Sequence, residues 1–103
     1  MIFEQETIVF QILDILYFDQ GRAKMYNFKR NFDALSLRYE ADTIIEYKDK
    51  QIELTDNSIG FFPADTDYTR STNRDKMIVI HFKTLNYHST EIECFSPTDY
   101  KKY

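Results

Sequence analysis

The chain has 103 residues, 43% of them hydrophobic, which suffices for one domain with its own core and falls short of two of ordinary size. Thirteen lysines and arginines against 17 aspartates and glutamates give a formal charge of −4, the wrong sign for a surface that neutralises nucleic-acid phosphates. No basic-then-apolar leader and no apolar run of the ~20 residues that cross a bilayer is present, so a soluble, cytoplasmic protein is expected.

Nine phenylalanines and eight tyrosines favour pleated, half-buried surfaces over helices. Thr7 to Phe18 (TIVFQILDILYF) is almost continuously apolar, rich in β-branched and aromatic residues, and followed by the turn Asp19-Gln20-Gly21, so it reads as a strand. Lys24 to Phe28 is the next. Asp33 to Tyr39 alternates with period two, Ala41-Asp42 breaks it, and Thr43 to Lys48 resumes it. The polar pair Asp49-Lys50 predicts a hairpin into Gln51 to Leu54, and Asp56-Asn57 predicts a further turn. Ile59 to Phe62 is a short strand closed by Pro63, which lacks a ladder donor. Thr66 to Ser71 reads as an edge strand and Thr72-Asn73-Arg74-Asp75 as a loop. The run Lys76 to Lys83 (KMIVIHFK) is apolar on both faces and predicts a central strand. Glu91 to Phe95 is a last strand, carrying Cys94; as the sole cysteine it can form neither an intramolecular disulfide nor a thiolate metal cluster, and is expected to be an inert, buried thiol. Eight or nine short strands without a helix predict an all-β sandwich or barrel, most simply a jelly roll.

The stretch Asp56 to Tyr68 (DNSIGFFPADTDY) resembles the second half of the cupin signature, in which a turn and short strand lead to Pro-x-Gly-x-x-His. Asp65 stands at the glycine position and Tyr68 at the position of a histidine metal ligand. Leu35 to Tyr47 (LSLRYEADTIIEY) and Met77 to Phe82 (MIVIHF) are similar to strands in the amino-terminal domain of bacterial AraC-type transcription regulators, with Glu40 to Asp42 replacing the glycine usual at the first turn. The resemblance covers about residues 24 to 84. It implies a cupin-like double-stranded β-helix over residues 1–95 that receives a small polar effector, such as a sugar, and modulates an attached DNA-binding domain. Residues 96–103 then read as the start of a connection to a helical dimerisation segment and two helix-turn-helix motifs, through which alone DNA would be bound.

Metal-dependent cupin chemistry needs converging histidine and carboxylate ligands, typically a His-x-His pair on one strand. His81 and His88 are seven residues apart, so neither metal nor cofactor is expected. With Gly21 and Gly60 as the only glycines, the sequence has no nucleophile elbow or phosphate loop, and no enzyme is expected. Tyr68 is the first candidate for effector contact, because the resemblance turns its position towards the cavity. Arg38, between Leu37 and Tyr39, either anchors an acidic effector or points to solvent, the commoner fate of a strand arginine. Tyr47, Phe28, Phe61 and Phe62 are candidate lining residues, though strand aromatics are more often plain core. His81 shares a face with Met77 and Val79 and is a core, interface or ligand-contact residue. Two other readings are a stand-alone carbohydrate- or metabolite-binding jelly roll and a degenerate cupin enzyme. Self-association through an exposed sheet edge is the expected oligomeric contact.

Overall fold

A computed structural model describes residues 9–85 and 90–95. Among them there are seven strands and no helix: β1 (Phe10–Gln20), β2 (Ala23–Asn27), β3 (Asp33–Tyr47), β4 (Lys50–Leu54), β5 (Ser58–Phe62), β6 (Tyr68–Thr84) and β7 (Glu93–Phe95). All pairings are antiparallel, and the sheet runs β1-β6-β3-β5-β7. It is an open path with two ends, so the expected all-β class holds while the sheet does not close on itself. Residues 96–103, read from sequence as a connecting segment, lie outside the described residues, as does His88.

Registers show that the short strands belong to longer ribbons. Gln20 pairs with Asp75 and Ala23 with Thr72, so β1 and β2 follow one another along β6 with only Gly21-Arg22 between them. β4 and β5 likewise follow one another along β3, separated by residues 55–57.

Two predicted interruptions are bulges instead. Register shifts fall at Tyr39 in β3 and at Asn73 in β6, each adding one unpaired residue to its strand. The break expected at Ala41-Asp42 therefore lies inside one fifteen-residue strand. Likewise, the expected edge strand, loop and central strand between Thr66 and Lys83 are parts of the single, central β6. A bulge accommodates polar residues without ending the ladder, because only one residue leaves the pairing. The amide of Ala41, next to the β3 bulge, donates to the Asp56 carboxylate at 2.9 Å, so the polar turn between β4 and β5 satisfies the backbone that the bulge frees.

Side chains alternate across these strands, and the bulges reset the alternation. In β3, beyond the buried first residue Asp33, the buried residues are Ala34, Ser36 and Arg38 before the bulge, and Ala41, Thr43, Ile45 and Tyr47 after it. In β6 they are Tyr68, Arg70 and Thr72, then Asp75, Met77 and Val79, with Phe82 buried on the opposite face. One face thus stays inward along the whole length of both strands. Its apolar core joins Ile45, Leu54, Phe62, Met77 and Val79. A smaller cluster of Phe61 and Phe82, with Leu35 and Ile80 against it, occupies the other face. The nearly continuous apolar run of β1 lies at an end of the sheet, where Ile15 is 60% and Tyr17 62% exposed.

Backbone geometry explains the polar turns. Lys48 and Asp49 both have positive φ, as a two-residue hairpin between β3 and β4 demands. Asp65, at the glycine position of the resemblance, has φ 59°, the left-handed region that glycine occupies most cheaply. Asp65→Gly is expected to leave stability unchanged or raise it by up to about 1 kcal/mol, whereas Asp65→Val lowers it by about 1–2 kcal/mol, both read by urea unfolding.

Candidate ligand-binding site

The inward face carries more charge than a core of this size ordinarily holds. Asp75 is 0% exposed and lies between two buried arginines, one from β3 and one from its own strand. Arg38 donates from Nε to Asp75 Oδ1 at 2.8 Å and from Nη2 to Oδ2 at 3.4 Å, and its Nη1 bonds Ser36 Oγ. Arg70 donates from Nη1 to Asp75 Oδ2 at 2.9 Å, and its Nη2 reaches Gln20 Oε1 at 2.5 Å and Met25 Sδ at 3.2 Å. Both oxygens of the one carboxylate are therefore taken by guanidinium groups.

The β6 bulge makes this arrangement possible. Starting from inward Arg70 and Thr72, strict alternation would turn Arg74 and Lys76 inward and Asp75 out. The extra residue at Asn73 exchanges them, so Asp75 enters and Arg74 stays at the surface beside Glu40. The run Thr72 to Asp75, which reads from sequence as a loop, is corrected accordingly: it carries the most deeply buried carboxylate among the described residues.

A cavity of about 130 Å³ opens beside this cluster. Phe18, Ala34, Phe62, Met77 and Val79 form its apolar walls; Asn27, Arg30, Ser36, Tyr68 and His81 add polar groups to those of Arg38 and Arg70. Burial pushes the Tyr68 phenol above its ordinary pKa, against the opposing pull of Arg30, Arg38 and Arg70, so it is a neutral hydrogen-bonding group at physiological pH. His81 Nδ1 lies 2.7 Å from Asp14 Oδ1, and its ring meets Phe32 at 4.6 Å between centroids. Arg30 stacks over the same Phe32 ring at 5.0 Å.

Three predicted residues, Tyr68, Arg38 and His81, thus come together at one cavity, and Phe62 joins them. Arg38 is 4% exposed, so the solvent alternative does not hold. The other three expectations need correction. Phe28 is 73% exposed and packs edge-on against Tyr26, outside the sheet's inner face. Phe61 belongs to the cluster on the opposite face, because it is one position out of phase with Phe62. Tyr47 is buried, but its hydroxyl donates to the Thr90 carbonyl at 2.5 Å, and it lines a separate groove with Lys29, Lys48 and Asp67. Sequence reasoning missed Arg70, Asp75 and Asn27; no local signal marks them, because the polar Ser71-Thr72-Asn73 between Arg70 and Asp75 reads as a loop.

Among the described residues no three histidine, cysteine, aspartate or glutamate side chains converge as metal ligands. No described helix is long and apolar enough to cross a membrane. Comparison with protein-family models, with curated proteins and with solved structures finds no match for this chain.

Breaking the charge cluster is expected to be costly. Asp75→Asn leaves two buried guanidiniums without a counter-charge and should lower stability by about 3–5 kcal/mol, whereas Arg38→Met/Arg70→Met/Asp75→Leu recovers most of that loss, as measured by urea unfolding. Half-buried Cys94 has its pKa pushed up to about 11 from 9.0 by desolvation. At pH 8 it should hold on the order of a hundredfold less thiolate than an ordinary cysteine and react with a disulfide reagent correspondingly slowly. Because the folded pKa is raised, the linked stability is present below pH 9 and lost between pH 9 and 11, a loss that Cys94→Ala removes.

Proposed function

We propose that this chain is a small-molecule-sensing domain that binds its effector in the cavity beside Arg38, Asp75 and Arg70, and that it serves as the regulatory module of an AraC-type transcription regulator. The observation that carries the binding half is the buried charge cluster. Ionic groups in a core are weak contributors to stability compared with apolar side chains of the same volume, so a small domain that keeps three of them beside a cavity keeps them for recognition. The regulatory half rests on the resemblance of three segments in their order and spacing. Left-handed backbone at Asp65, where the resemblance calls for glycine, supports it, as does the inward placement of Tyr68. On this reading the fold is a cupin-like double-stranded β-helix, and effector binding acts through unequal affinity for two arrangements of sensor and DNA-binding domain. A stand-alone metabolite-binding domain is the second reading; it requires the same cavity and no attached helices.

Two measurements test these halves separately. A screen of small metabolites against the 103-residue chain should find a compound that raises its melting temperature, since ligand at a hundred times Kd adds about 2.7 kcal/mol. In the gene, the frame encoding the chain is expected to run on into two helix-turn-helix units. A metabolite hit with a frame lacking them selects the stand-alone domain, and no hit in a broad screen removes the sensing function.

A further inference from the structure

Hydrogen-bonding capacity around the cavity is lopsided. Arg38 and Arg70 carry five N–H groups each, more than their bonds to Asp75, Ser36, Gln20 and Met25 use. The amide nitrogen of Asn27, which lines the same cavity, is buried and meets no hydrogen-bond partner among the described residues. An unpaired buried donor is a loss of about 1–3 kcal/mol that a bound acceptor would reverse. Arg30 adds a third guanidinium to the wall. Against these donors stands the single carboxylate of Asp75, with both oxygens engaged. In a chain of net charge −4, three of the five arginines meet at one concavity.

We infer that the ligand of this cavity is a small carboxylate, its two oxygens accepting from Asn27 and the arginines and its apolar body lying against Phe62, Met77 and Val79. The inference rests on the sensing reading above and gives it a ligand class. A carboxylate accepts on both oxygens and fits the planar fork of a guanidinium. A sugar presents hydroxyls that must also donate, and both oxygens of the neighbouring Asp75 carboxylate are already taken by guanidiniums. The volume of about 130 Å³ favours a compact acid over a large one.

The test is titration of the isotope-labelled 103-residue chain, followed through the side-chain NMR signals of Asn27 Nδ2 and of Arg38 and Arg70 Nε. Acetate, lactate and benzoate are compared with their neutral amides, with inorganic phosphate and with a pentose. The expected result is that at least one acid shifts all three signals at millimolar concentration or below while its amide does not. Asn27→Asp, which places a negative charge where the oxygen would sit, should weaken that acid by about tenfold or more, the share carried by one charge-assisted hydrogen bond. If the pentose or the amides shift the signals and the acids do not, the carboxylate class is wrong and the sensing cavity stands. Tighter binding of phosphate than of any acid overturns the carboxylate in favour of an inorganic anion. If none of the probes moves these signals, the carboxylate inference fails; if the metabolite screen also finds no hit, the sensing reading fails with it.

Discussion

A carboxylate at zero exposure constrains this fold more than any other group. Moving one ionised side chain out of water costs several kcal/mol unless charge and hydrogen bonds replace the lost hydration. Asp75 meets that requirement through Arg38 on β3 and Arg70 on β6, and Arg70 in turn reaches Gln20 on β1 and Met25 on β2. Four strands are therefore tied by one acid and the groups that neutralise it. Such a network fixes register, because a slip of β6 by one residue would carry Asp75 and Arg70 outside and leave the Arg38 guanidinium in the core without its counter-charge.

The bulges at Tyr39 and Asn73 serve the same end. Each locally surrenders a pairing, and together they keep β3 and β6 facing the same way while both strands remain long enough to span the sheet. The freed backbone is partly satisfied by Asp56, so the disruption is confined. Sequence rules treat a polar run such as Thr72 to Asp75 as the end of a strand. Here that run lies inside the strand and carries its most deeply buried side chain, a place where local preference yields to a tertiary requirement.

Opposite in character is β1, whose side chains are apolar on both faces although the strand lies at an end of the sheet. A two-sided apolar run ordinarily marks a strand covered on both faces. Phe10 does find Phe82 at 5.9 Å between centroids, yet Ile15 and Tyr17 on the same face as Ile80 and Ile78 are largely open to solvent. Apolar pattern alone thus gave this strand's type and not its environment.

The sequence by itself determined the β class, the positions of the strands to within a few residues, and the hairpin after Tyr47; it left Arg38 and His81 open between cavity and other fates, and Tyr68 was a candidate only through the family resemblance. The class, the strands and the hairpin follow from local causes: period-two alternation, β-branched and aromatic content, and turn chemistry act over a few residues and leave their mark there. Fusion of the predicted fragments into β3 and β6, the burial of Asp75, and the separation of Phe61 from Phe62 onto opposite faces were decided only in the tertiary structure. Each depends on a one-residue bulge, which leaves composition untouched and reverses the facing of every residue beyond it. Arg70 and Asp75 carry no local sign of burial, because what makes burial of one tolerable is the charge of the other, and of Arg38 more than thirty residues away.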